Sequence, residues 1–157
     1  MLSGKVALIT GASSGIGAAT AILFTKLGAN VSITGRNVEN LQKTADSCQQ
    51  VENGQKKPLL IQADLQSESD TSTLVSKTVA EFGKLDILVN NAGVLEMGTV
   101  ENTSLEQYDR VMNVNVRAIY HLTMLATPEL IKTEGNIVNI SSVNGIRSVS
   151  FEHFFRI

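Results

Sequence analysis

Short β-branched runs alternate along this chain with longer segments of helical periodicity, and that alternation leaves few architectures open. The runs stand near Val6–Thr10, Val31–Thr34, Leu59–Gln62, Ile87–Asn90 and Ile137–Ser141. Helical patterns fit between them, roughly over Gly15–Lys26, Val38–Glu52, Asp70–Phe82 and Leu105–Ile131. Strands joined through a helix run parallel, and strands this continuously apolar need cover on both faces. The expectation is an α/β fold: a doubly wound parallel sheet of five strands in three α/β/α layers. A chain of 157 residues can bury one such core and does not invite a second domain.

Composition narrows the function classes. With 43% hydrophobic and 18% charged residues the chain has ordinary globular usage, far from the profile of disordered sequences. A formal net charge of −2 provides no basic field for nucleic acid or anionic lipid, so neither partner is expected. No apolar run approaches bilayer length, and Val6–Ile9 ends in a Thr-Gly turn instead of a signal-peptide cleavage site. A soluble, cytoplasmic chain is expected. The single cysteine, Cys48, has no disulfide partner and no metal-like neighbours, which fits a reducing compartment. His121 and His153 lack a paired nucleophile and read as helix-surface and tail residues.

The first strand runs into Thr10-Gly11-Ala12-Ser13-Ser14-Gly15-Ile16-Gly17, which opens a helix. A turn in that position can seat a phosphate, because side chains there would block the turn, the anion or the helix–strand contact. The helix N-terminus adds unpaired N–H groups and partial positive charge. Three clustered glycines are also what a plain turn would show.

The spacing of that turn resembles the fingerprint of the short-chain dehydrogenase/reductase family, and three later stretches agree. Asn90-Asn91-Ala92-Gly93 looks like the family's Asn-Asn-Ala-Gly signature. Asn115, in Val114-Asn115-Val116, matches its active-site asparagine, and Asn139-Ile140-Ser141-Ser142 matches the strand that carries its active-site serine. The resemblance runs from Lys5 to about Ser148. It implies a Rossmann-like NAD(P)-binding domain over residues 1–148, truncated after the fifth strand, with a divergent apolar tail over 149–157. Gly11, Ser13, Ser14, Gly15, Ile16 and Gly17 would surround the pyrophosphate. Asn91, Ala92 and Gly93 would let backbone approach the ribose and nicotinamide. Asp64 and Leu65 would face the adenine, although Asp64 could equally cap the following helix. A homo-oligomer formed through the long helix around 105–131 is a further expectation.

The cofactor reading turns on one position. Dinucleotide sites that select NAD place a carboxylate about 20 residues beyond the glycine turn. This chain has Thr34-Gly35-Arg36-Asn37 there, with no carboxylate and with a guanidinium that can pair with a 2′-phosphate. NADP is the expected cofactor and NAD the less favoured one; the alternative for Arg36 is an ordinary exposed loop residue.

The resemblance further implies alcohol–carbonyl hydride transfer, in which the cofactor carries hydride and a tyrosine moves the proton. By motif position Ser142 would hydrogen-bond the substrate oxygen and Asn115 would organise a proton path. Their alternatives are a strand-end hydroxyl bonded to backbone and a polar residue satisfying a helix irregularity. A lysine one turn after the tyrosine completes the family's set. Here Met112 and Met124 stand four residues beyond Tyr108 and Tyr120, so neither tyrosine makes Tyr-x-x-x-Lys. The family's register, about a dozen residues past the serine, lands on Phe154 or Phe155, which have no proton to exchange. The segment Val149–Ile157 departs from the family pattern and reads as a replacement terminus.

Two further expectations attach to that terminus. Asn144-Gly145 is a hairpin signal that would set Ile140 opposite Val149 and Val138 opposite Phe151; a frayed tail is the alternative. The functional reading is an NADP(H)-dependent oxidoreductase by family, with this stretch suited to dinucleotide binding more than to turnover. A non-enzymatic module that binds dinucleotide or modulates full-length subunits is its rival.

Overall fold

Five strands form in the computed structural model, which describes residues 1–51, 56–99 and 101–143. They are β1 (Val6–Thr10), β2 (Asn30–Gly35), β3 (Leu59–Gln62), β4 (Ile87–Asn90) and β5 (Asn136–Asn139). All pair in parallel, in the order β3-β2-β1-β4-β5. The chain builds outward from β1 to β3, then crosses back to lay β4 on the other side of β1. That reversal opens a crevice at the carboxyl ends of β1 and β4, where open α/β sheets bind ligands.

Alternation along the strands divides the core in two. Ala7, Ile9, Val31, Ile33 and Val89 pack on one face with Ala21 of α1 (Gly15–Lys26) and Leu41, Ala45 and Cys48 of α2 (Val38–Gln49). Leu8, Ile61 and Leu88 pack on the other with Leu74 and Val75 of α3 (Glu68–Phe82) and Leu122, Ala126 and Leu130 of α5 (Ala118–Thr133). Leu8, Ile9, Ile33 and Leu88 are fully buried, and each such side chain contributes about 1.5–3 kcal/mol. By the same alternation Thr10, Asn90 and Asn139 end their strands, and Thr34 stands one residue before the end of β2, on the α3/α5 face, in register as Thr10 with Thr34 and Asn90 with Asn139.

Several expected boundaries move for visible reasons. Ser67 caps α3 by accepting from the Asp70 N–H, so the helix starts two residues before Asp70. Asp64 therefore does not cap it. The segment expected as one helix over Leu105–Ile131 is three pieces: α4 (Leu105–Met112), a π-helical turn over Asn113–Arg117, and α5. Within the turn the Ala118 N–H reaches back five residues to the Asn113 carbonyl. β5 begins and ends earlier than Ile137–Ser141 and is exposed along its whole length, and β4 is its one strand neighbour among the described residues. The expectation of cover on both faces thus fails at this edge. Asn144-Gly145, the 149–157 tail and His153 lie outside the described residues.

Candidate functional site

The glycine turn and the Asn90–Gly93 turn lie 80 residues apart in sequence and are fastened by two side chains. The Thr10 hydroxyl accepts from the N–H groups of Asn91 and Ala92, each at 3.0 Å, and donates to the Val89 carbonyl at 3.3 Å. The Asn91 amide donates to the carbonyls of Thr10 at 2.9 Å and Gly11 at 3.2 Å. Small residues are required where these turns meet. A Cβ on Gly11, whose φ is +64°, would stand 2.8 Å from the Ala92 Cα, and one on Gly17 would overlap the Gly11 carbonyl and the Asn91 amide. The Thr44 hydroxyl, 3.0 Å from the Ala12 carbonyl, ties α2 to the same turn.

Capping sets α1 apart. Asn37, Ser67 and Ser104 each accept a backbone N–H at the start of α2, α3 and α4, whereas Ser14 makes no such bond at the start of α1. The first N–H groups of α1 are left for an anion. They open on a cleft of about 500 Å³. Gly11, Ser13, Ser14, Gly15 and Ile16 line it from the glycine turn, and Asn91, Ala92 and Gly93 from the turn after β4. Arg36 stands on its wall beyond β2, Asp64 and Leu65 beyond β3. Gly17 does not line it; this residue lies beneath the turn, against Asn91. The structure thus brings together every residue expected at a dinucleotide site except Gly17, which supports the site from behind.

Individual side chains sharpen the geometry. Asp64 accepts from the Gln66 N–H at 3.0 Å, and its own N–H donates to Asp70 at 2.9 Å, so the loop after β3 closes on itself. Arg36 is exposed, with its carbonyl receiving the Gln62 amide at 3.3 Å. Thr34, Gly35, Ala63, Val94 and Val114 also line the cleft. Sequence reasoning missed them, although small residues closing strands, Gly35 and Ala63, were a usable signal.

A second cleft of about 720 Å³ shares the wall formed by Ile16 and Asn91–Val94 and holds both residues expected to face substrate, Asn115 and Ser142. Asn115 projects from the π-helical turn, and both ends of its amide are engaged. Its oxygen accepts the Val94 N–H and its nitrogen donates to the Val94 carbonyl, each at 2.9 Å. Asn115 therefore fixes the loop after Gly93, instead of satisfying the irregular turn it stands on, while lining the cleft. Asn90, which sequence reasoning gave no separate role, is buried and donates to Asn139 at 2.8 Å and Thr123 at 3.3 Å. An asparagine closing an apolar strand was the signal. Tyr120 also lines this cleft, and His121 is half-buried on α5. Among the described residues no cluster of His, Cys, Asp and Glu could hold a metal, and no helix is long and apolar enough to cross a membrane.

A parallel sheet with a switch-point crevice, a glycine turn and an uncapped helix beside it defines a dinucleotide-binding class of α/β proteins. Residues 5–154 match the short chain dehydrogenase family, and the chain belongs to it. Members of this oxidoreductase family use nicotinamide dinucleotides. The 3-oxoacyl-(acyl-carrier-protein) reductase FabG of Thermotoga maritima is 38% identical over 149 residues, covering 92% of this chain and 58% of the relative. The glucose dehydrogenase of Caenorhabditis elegans superposes with a TM-score of 0.79 at 43% identity, over 90% of this chain and 56% of that one. A second C. elegans short-chain dehydrogenase/reductase, solved with cofactor, gives 0.88 at 33% identity over 96% and 57%. The chain spans a little over half the length of these relatives.

Proposed function

We infer that this chain binds NADP(H) in the first cleft, presents a carbonyl or alcohol to it from the second, and by itself performs no appreciable turnover. The observation that carries the reading is the uncapped start of α1 opening on a cleft that has Arg36 on its wall and no carboxylate beside it on β2. The α1 N–H groups and Ser13–Gly15 would hold the pyrophosphate, Arg36 a 2′-phosphate, and Asp64 and Leu65 the adenine. Gly11, Ala92 and Gly93 carry no side chain beyond a methyl, which lets the ring system lie against backbone; that is the fit this cofactor requires. When bound, the cofactor supplies hydride exchange. Ser142 would donate to the substrate oxygen, and Asn115, through Val94, would hold the wall common to both clefts.

Two consequences are testable. Calorimetric titration should find NADPH bound more tightly than NADH, with Arg36→Ala losing about 1.5–3 kcal/mol of that preference, the worth of a hydrogen bond to a charged group. Equal affinities in the unmodified chain would refute the assignment. The second consequence rests on the absence of Tyr-x-x-x-Lys within these 157 residues. A general acid contributes about 10²–10⁴-fold, so NADPH oxidation over a panel of ketones should stay at background. Turnover abolished by Ser142→Ala would overturn this.

A second reading is favoured by α5, where Tyr120, Met124 and Ile131 are 73%, 54% and 72% exposed along one stripe. Such a face suits association with another subunit through the 105–131 region. Concentration-dependent elution in size-exclusion chromatography, lost in Tyr120→Ser/Met124→Ser, would support a subunit-pairing role.

A further inference from the structure

The second cleft has a charged feature that neither the glycine turn nor the asparagine and serine motifs use. Leu95, Val111, Val116, Ile119 and Ile140 form the aliphatic part of its wall beside the asparagines and hydroxyls, and among the described residues Glu96 is its one charged lining side chain. Glu96 is not left alone there. Arg110 Nε lies 2.8 Å from its Oε1, with the Arg110 side chain 46% and the Glu96 side chain 27% exposed. Both partners are held in place. Glu96 follows Val94, whose backbone is clamped on both sides by Asn115. Arg110 stands in α4, next to the buried Val111 that lines the same cleft.

We propose that the Glu96–Arg110 pair is the specificity-determining element of this cleft, restricting it to uncharged, largely apolar carbonyl or alcohol substrates. The inference rests on the reading of the second cleft as the substrate site. A carboxylate entering here meets Glu96 and must break the ion pair to reach Arg110. An ammonium must displace Arg110 from Glu96. A neutral ligand buries its apolar surface against the aliphatic wall and disturbs neither charge.

The test uses the dinucleotide-loaded, nitrogen-15-labelled chain titrated with three probes: 4-phenylcyclohexanone, its para-carboxylate and its para-aminomethyl analogue. Amide shifts of Ile119 and Ser142 report occupancy of the cleft. The neutral ketone should bind about 5-fold or more tighter than either charged analogue, the scale expected for one uncompensated charge at a part-exposed rim. Glu96→Gln frees Arg110 and should bring the carboxylate to parity with the ketone or better. Arg110→Gln leaves Glu96 unpaired and should favour the ammonium instead. Neutral-ketone binding with the same preference in all three proteins overturns the specificity role and leaves the substrate-site reading standing. Failure of the neutral ketone to shift either amide in a chain that binds NADPH overturns both.

Discussion

One methyl group tests how tightly the two turns are joined. A Cβ at Gly17 would overlap backbone at Gly11 and the amide of Asn91, and neither can retreat, because Asn91 already donates to Thr10 and Gly11. Gly17→Ala should therefore destabilise the fold by about 1–3 kcal/mol, the usual scale of overpacking, and weaken NADPH binding by spreading the turn. A urea midpoint and a calorimetric titration on the same sample check both. An unchanged midpoint would mean that the turn is looser than its contacts indicate. At this scale the glycines were legible in the sequence, because a missing side chain is visible without a partner. The reason each is needed was only partly so: Gly17 reads as a phosphate contact, yet its neighbours show that it spaces helix from turn.

Among the elements, the π-helical turn decides the most. It interrupts the 105–131 helix at the residue that clamps Val94, and it turns Asn115 toward the loop between the two clefts. Asn115→Ala would leave the Val94 N–H and carbonyl without that partner, at less than the about 1–3 kcal/mol of a fully buried unmet group, because Val94 is only half-buried. Hydrogen exchange at Val94 should accelerate in this variant while exchange in β1 stays slow. Equal protection of Val94 in both proteins would show that the clamp is dispensable. Helical periodicity predicts a helix over the whole segment, and an added residue in one turn barely disturbs that periodicity, so the sequence carries little trace of the interruption. Capping is easier to read: Ser104 and Gln107 form a reciprocal capping box three residues apart.

Across the whole molecule, one buried carboxylate carries two ion pairs, at the end of the sheet opposite the clefts. Asp86, just before β4, is 2% exposed and accepts from Lys5 and the Val6 N–H at 2.9 Å each, with Lys84 at 3.0 Å. Burial pushes its carboxyl up, but the two ammonium groups and the Val6 N–H outweigh that and hold it below the ordinary 3.8. A carboxyl depressed in the folded state adds stability that is fully present above the ordinary value and is lost as pH falls below it. Acid unfolding of the chain should thus steepen below about pH 4, and Asp86→Asn should flatten that dependence. At neutral pH the same variant should lose about 1–3 kcal/mol, less than a fully buried pair because both lysines are partly exposed. Parallel pH dependence of the two denaturation curves would rule out the linkage.

By itself the sequence determined the class of fold, the order of its elements and most of the residues that line the first cleft. Periodicity and glycine placement are local quantities, and a parallel α/β sheet gathers the residues that follow its strands at one end. Tertiary structure alone decided which of those residues hold one another. That Thr10 meets Asn91, that Asp86 meets Lys5 and that Glu96 meets Arg110 depends on strand order and on the shape of loops. Each of these pairings is a short-range bond whose partners are brought within 3.0 Å by the packing of separate elements. The local pattern encodes which side chains are buried, and only the assembled sheet sets what they are buried against.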